Sequence, residues 1–221
     1  MKNVILISAF NPDENLVNLI KAVMANGKEY ISDIIVVDDG SRERTHYVFR
    51  RLRSIGIRVI SQKEKLGVGV TMRAGLKLID EKEPGIDGIL VVGSVNSCTA
   101  EHILQVAKKM KENRNAAIIA ENESEGFSKG LKDKLRYGVN SWTLKLRTGV
   151  ICSDPTKGVI GIPAEHIKLA LATRGKNASY IFNLINGMIK SGAPVTSLRL
   201  AEVGACNEGI HGNDYKYKDI I

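Results

Sequence analysis

The chain has 221 residues, 43% hydrophobic and 25% charged, with 32 Lys and Arg against 24 Asp and Glu for a formal net charge of +8. It is long enough for one sizeable core and too evenly mixed for a disordered chain, and its apolar runs stop short of a membrane span. Cys98, Cys152 and Cys206 are odd in number, widely spaced and outside any Cys-x-x-Cys arrangement, which argues against a disulfide framework or a cysteine zinc site.

Reduced thiols and the lack of a cleavable signal layout at the start point to a cytosolic protein. The positive excess calls for an anionic partner: nucleic acid, a phosphorylated small molecule or an anionic membrane surface. Aromatic residues are 5% of the chain and do not interleave with the basic ones, which argues against a single-stranded nucleic-acid platform.

Asn3 to Ser8 has the apolar run of a buried strand, and Asn11-Pro12-Asp13-Glu14 supplies an N-cap, a proline for the first helical position and two first-turn acids. Leu16, Leu19, Ile20 and Val23 then recur at helical spacing until Asn26-Gly27. Ile34 to Val37 is a second buried strand, followed by a basic amphipathic segment, Thr45 to Ser54, and a third strand, Gly56 to Ile60. The alternation predicts a mostly parallel sheet wound with right-handed crossovers.

Leu66 to Gly75 enters a helix that runs to about Ile79, with Gly67 and Gly69 at its start. Glycines there let backbone amides approach a phosphate, or serve only a tight turn. Ile86 to Val92 is a fourth strand, whose tail Gly93 to Thr99 precedes a helix, Ala100 to Lys111. Ala116 to Ala120 is a short fifth strand.

Residues 121 to 134 are polar and read as a loop. A basic helical segment within 129 to 147 follows, with Trp142 among its apolar residues. It is either a solvated helix face or an interfacial helix at an anionic membrane. The polar turn Ser153 to Gly158 leads into a strand, Val159 to Ile162, and a helix begun by Pro163. Tyr180 to Ile189 reads as a helix and Val195 to Leu200 as a strand, and residues 203 to 221 form an irregular tail. With no repeat and no linker, residues 1 to 221 read as one α/β domain.

The stretch Ile34 to Ser41 stands out. Four branched apolar residues are followed by Asp38-Asp39-Gly40-Ser41 where the strand must surface, and ligands of open α/β sheets bind beyond the carboxyl ends of the strands. The alternative is a solvated turn.

Together these stretches resemble family 2 glycosyltransferases of the GT-A fold, in particular the group of dolichyl-phosphate mannose synthase and other polyprenyl-phosphate glycosyltransferases. Ile5 to Asn15 is similar to the family's opening strand and Pro-Ala-Tyr-Asn-Glu loop, with Ser8 in place of proline. Ile35 to Ser41 matches Val-Val-Asp-Asp-Gly-Ser, Leu66 to Gly75 resembles Asn-Leu-Gly-x-Gly-x-Ala-x-x-x-Gly, and Ser153 to Pro163 resembles Ser-Asp-Pro-Thr-x-Gly-x-x-x-x-Pro. The implied fold is a single-domain, Rossmann-like GT-A sandwich with a mostly parallel central sheet flanked by helices.

The resemblance implies a nucleotide-diphosphate sugar as donor. By position, Ala9, Asn11 and Glu14 would lie beside the nucleotide, Asp38 and Asp39 at its base and ribose, and Gly67, Gly69 and Arg73 along the nucleotide and diphosphate. Arg136 and Asn140 match the family's Arg and Asn, and Asp154 its acidic residue near the reaction centre. Ser94 and Asn96 fall where the family carries its metal-binding Asp-x-Asp. Neither supplies a carboxylate, so no metal ligand is assigned and a Mn or Mg ion is expected to bind weakly or not at all. Ile160 and Asn183 likewise replace a usual Arg and a usual acid.

Two readings follow. One is a glycosyltransferase acting on a lipid phosphate or a cell-surface polysaccharide precursor, in the cytoplasm and in peripheral contact with the membrane. The other is a degenerate relative that binds nucleotide or nucleotide sugar as a regulatory or scaffolding subunit. The residues leave the sugar, the base and the oligomeric state open, and nucleic-acid binding ranks last.

Overall fold

Every residue of strand β1 (Asn3–Ala9) is buried, because helices cover both faces of the sheet at this position. Its side chains alternate: Ile5, Ile7 and Ala9 enter one apolar cluster, Val4 and Leu6 the other. A computed structural model describes residues 1–93, 98–122, 158–177 and 179–200.

β2 (Ile31–Asp38) and β4 (Gly88–Val92) flank β1 in parallel, with Ile7 opposite Val36 on one side and Val92 on the other. β3 (Arg58–Ser61) adds to β2 in parallel. β6 (Val159–Pro163) runs antiparallel between β4 and β5 (Ala117–Asn122), and β7 (Val195–Leu200) lies parallel to β5. The sheet order is β3-β2-β1-β4-β6-β5-β7, so six of the seven strands point the same way.

Helices α1 (Glu14–Asn26), α2 (His46–Ser54) and α4 (Ala100–Glu112) pack on one face, burying Leu16, Ile20, Phe49, Leu52, Ile103 and Val106. On the other face, α3 (Val68–Lys82), α5 (Ile167–Ala172) and α6 (Ser179–Lys190) bury Met72, Leu76, Ile79, Ile167, Tyr180 and Leu184. This is the mostly parallel, helix-flanked α/β sandwich that the sequence predicted. No helix among the described residues is long and apolar enough to cross a membrane.

Some boundaries differ from the sequence reading. The N-cap of α1 is Asp13, whose side chain accepts from the Asn15 amide, and Pro12 stands outside the helix. Asn11 is instead in the left-handed region at φ 51°, engaged with the loop after β2. A 3-10 turn, Glu43–Thr45, precedes α2, and another, Ala164–His166, separates Pro163 from α5. β2 begins three residues earlier than its continuous apolar run: Ile31 and Asp33 are only partly buried and Ser32 is exposed, so the burial pattern does not mark them as strand.

The carboxyl ends of β1, β2, β3, β4, β5 and β7, with the start of β6, make one edge. The described chain leaves that edge at Gly93, Asn122 and Leu200 and rejoins it at Gly158, whose carbonyl accepts from the Gly93 amide at 3.1 Å.

Candidate functional site

Asp38 is the last residue of β2 and pairs in register with Ala9, the last of β1. Its Oδ1 accepts from the Ser41 amide at 2.8 Å, closing the Asp-Asp-Gly-Ser turn. Inside that turn Gly40 sits at φ +68° with its α-carbon pressed on Glu64, where an added Cβ would come within 2.2 Å of the backbone. Only glycine meets both demands.

Asp39 ties three segments together. Its amide donates to the Ala9 carbonyl at 2.9 Å, and its carboxylate accepts from the Leu66 amide at 2.8 Å and the Gly67 amide at 3.1 Å. Asp38 is 2% exposed and Asp39 fully buried, so neither is a residue of a solvated turn. A buried carboxylate is tolerable only with such donors around it. Part of the role of this pair is therefore to hold the loops after β1, β2 and β3 in one arrangement.

Asn11 adds a second tie between the first two loops: its amide donates to Ser41 Oγ at 2.8 Å and its Oδ1 accepts from the Arg42 amide at 2.8 Å. His46 Nε2 lies 3.0 Å from the Ser41 carbonyl. Lys65 stacks over the Phe10 ring at 4.1 Å and bridges the first and third loops. Glu14 stands on the first turn of α1 and pairs with Arg51 of α2 at 2.5 Å, both partly exposed.

The start of α3 is equally occupied. Gly67, at φ +93°, packs against Lys176 and Asn177, and Gly69 donates its amide to the Lys176 carbonyl at 2.6 Å. The amides of both glycines are thus bonded within the chain, and close packing accounts for both residues. Thr71 Oγ1 and Ser8 Oγ lie 2.9 Å apart. Ser8, at the place of the family's proline, thereby joins β1 to α3.

Arg73 lies one turn further along α3. Its Nη1 donates to the carbonyls of Thr173 at 3.1 Å and Gly175 at 2.9 Å, and its guanidinium lies 5.4 Å from the Tyr180 ring centre. Tyr180 donates its hydroxyl to the Ala170 carbonyl at 2.9 Å. Burial pushes that phenol well above its ordinary value, against a smaller downward pull from Arg73. Arg73 therefore bonds to the connector between α5 and α6.

Ala9, Asn11, Asp38, Asp39, Gly67 and Gly69 fall into one hydrogen-bonded array, with Arg73 and Glu14 at its borders. Ser94, Asn96, Arg136, Asn140 and Asp154 lie outside the described residues, as do the basic segment and the tail. Of the two other family departures, Ile160 is a buried strand residue and Asn183 donates Nδ2 to the Arg174 carbonyl at 2.9 Å. Among the described residues no three His, Cys, Asp or Glu side chains group to hold a metal ion. Cys98 is buried, which pushes its thiol up to about 12.

Phe10, Lys65 and the connector at residues 173–177 were missed from sequence. Phe10 and Lys65 meet only through the fold, and the connector's Arg-Gly-Lys-Asn run resembles any polar turn.

Solved structures of similar fold include glucosyl-3-phosphoglycerate synthase from Mycobacterium tuberculosis in complex with Mn2+, UDP-glucose and phosphoglyceric acid. It has a TM-score of 0.69 and 12% identity, over 91% of this chain and 70% of that one. S. aureus TarS 1-349 with UDP-GlcNAc gives a TM-score of 0.56 and 13% identity over 93% and 60%. The mannosyltransferase PcManGT from Pyrobaculum calidifontis with GDP-Man and Mn2+ gives 0.60 and 8% over 93% and 58%. A comparison with curated proteins finds no match. The sequence profile described as Glycosyl transferase family 2 matches residues 4–159, more than half of the chain and all of the array around Asp38 and Asp39. By that match the chain belongs to glycosyltransferase family 2.

Proposed function

We propose that this chain transfers a sugar from a nucleotide-diphosphate sugar to an acceptor, with the nucleoside seated on the carboxyl edge over Ala9, Asn11, Asp38 and Asp39. The observation that carries the reading is the array itself: two nearly solvent-free carboxylates holding three loops in register within the span of the family match. A preorganised rim of this kind lowers the ordering cost of binding a nucleotide.

In the transfer, the bond between the anomeric carbon and the diphosphate breaks as the acceptor oxygen bonds to that carbon; a hydroxyl acceptor passes its proton to a base, whereas an ionised phosphate acceptor has none to pass. Asp154 is assigned the place of that acid-base group and Arg136 that of a cation facing the departing diphosphate. A polyprenyl phosphate is the acceptor class suggested by the resemblance to the dolichyl-phosphate mannose synthase group, and a saccharide is its rival. The setting is cytoplasmic, in peripheral contact with the membrane.

Complexes of glucosyl-3-phosphoglycerate synthase contain Mn2+ with UDP-glucose and Mg2+ with UDP. Ser94 and Asn96, which the resemblance assigns to the family's metal-binding Asp-x-Asp, offer only neutral oxygens, and among the described residues no carboxylates group to replace them. That donor set does not fit a hard divalent cation. The leaving charge is accordingly assigned to the chain's own cations, in keeping with its net charge of +8.

The test is release of nucleoside diphosphate, and transfer of sugar to a short polyprenyl phosphate, from a panel of UDP and GDP sugars with and without Mn2+. Turnover of at least one donor, unaffected by EDTA, is expected. Nucleotide binding without any turnover would instead favour a regulatory or scaffolding subunit, and neither binding nor turnover would contradict the reading.

A further inference from the structure

In the connector between α5 and α6, the carbonyls of residues 173 to 177 are all bonded to the chain. Thr173 and Gly175 accept from Arg73, Arg174 from Asn183, Lys176 from the Gly69 amide at 2.6 Å, and Asn177 from the Tyr180 amide at 2.9 Å. Five consecutive acceptors are thus paired within the protein. The amides of Arg174, Gly175, Lys176 and Asn177, by contrast, donate to nothing among the described residues. Arg174 and Lys176 are exposed, and neither has a carboxylate partner among the described residues.

A backbone strip with its acceptors saturated and its donors open is positive along its length even before side chains are counted, and consecutive open amides form anion-binding concavities. Here two cations flank the open amides. The strip is also held in place: Arg73 and Asn183 grip it from two helices, and Gly175 sits at φ +136°. Lys176 lies against Gly67 and Gly69, and the Gly67 amide is clamped by Asp39. The strip therefore adjoins the loops to which the nucleotide is assigned.

We propose that residues 174–177 form a phosphoryl-binding subsite, in which the open amides and the Arg174 and Lys176 side chains hold a phosphate of the donor's diphosphate or of a phosphorylated acceptor. The proposal rests on the nucleotide-sugar reading for its location and adds a place for phosphate charge in a chain whose metal position lacks carboxylates. Arg73 is a positioning residue in this scheme.

The experiment is calorimetry on the full chain in EDTA, comparing wild type with Arg174→Gln/Lys176→Gln. The donor arm compares UDP and GDP with uridine and guanosine. The acceptor arm compares a short polyprenyl phosphate and 3-phosphoglycerate with the corresponding unphosphorylated alcohol and glycerate. In one arm the double variant should weaken the phosphorylated probe by about tenfold or more, the loss expected for charge-assisted contacts, and leave its unphosphorylated partner unchanged. The arm that responds identifies the source of the phosphate, and Arg73→Gln should weaken the same probe. Unchanged affinity for every phosphorylated probe, or no binding of any of them by wild type, would overturn the subsite. Failure of wild type to bind nucleosides and nucleotides alike, with a variant-sensitive acceptor phosphate, would instead sink the nucleotide reading and leave the subsite standing.

Discussion

Replacing Asp39 by Ala removes the acceptor of two backbone amides at once. The Gly67 amide is buried and bonds both carboxylate oxygens at 3.1 Å, while the Leu66 amide bonds one of them at 2.8 Å beside a side chain that is 39% exposed. A buried donor left unpaired costs about 1–3 kcal/mol, and a water can relieve the Leu66 amide more readily than that of Gly67. The sum is about 2–4 kcal/mol of stability for Asp39→Ala. Asp39→Asn keeps one oxygen for both amides but loses the charge and sets an NH2 donor toward Gly67, a cost of about 1–2 kcal/mol. Urea unfolding gives both differences, and hydrogen exchange at the Leu66 and Gly67 amides reports the clamp directly. A stability for Asp39→Ala within about 0.5 kcal/mol of wild type, with both amides still protected, would refute the assignment of Asp39 as the clamp of the third loop.

Gly40→Ala should cost more than about 2 kcal/mol in the same unfolding experiment, since it combines a positive φ with a Cβ 2.2 Å from the Glu64 backbone. A change below about 1 kcal/mol would mean that the loops are not packed as described. Tyr180→Phe removes the buried bond to the Ala170 carbonyl and should cost about 1 kcal/mol with little effect on nucleotide affinity. In a Cys152→Ser/Cys206→Ser background, Cys98 should react with a thiol reagent at pH 8 only as fast as the protein unfolds. Because its folded-state value is raised from 9.0 to about 12, it contributes stability that is present below pH 9 and lost as pH climbs toward 12. Fast labelling of the native protein, or a flat stability over that range, would contradict the burial of Cys98. Ser94→Asp/Asn96→Asp should make nucleotide-diphosphate binding respond to Mn2+, and no response would remove these positions from the metal account.

The strands and helices that build the edge were readable because burial on two faces writes itself locally. Ile34 to Val37 could hardly be anything but an inner strand, and Leu16, Leu19, Ile20 and Val23 mark a helix face. The direction of β6 was not readable, since a short run without polar side chains pairs equally well either way and its antiparallel place between β4 and β5 is set only in the assembled sheet. The cap of α1 was misread because Asn11 and Asp13 are both good caps. The fold engages Asn11 with Ser41 and Arg42, leaving Asp13 for the helix. The Asp-Asp-Gly-Ser stretch was legible as a candidate site, but its inward bonds to Leu66 and Gly67 arise only once the third loop is folded against it. Arg73 shows the same limit: its partners at Thr173 and Gly175 lie about one hundred residues away in sequence.

The claim at the centre of this account is that the carboxyl edge beside Asp38 and Asp39 receives a nucleotide. A crystal structure of the chain soaked with UDP and GDP sugars addresses it most directly. The account predicts density for a nucleoside within hydrogen-bond reach of the Ala9–Asn11 and Asp38–Ser41 segments. A nucleotide bound elsewhere, or an empty edge at ligand concentrations that saturate binding in solution, would contradict it.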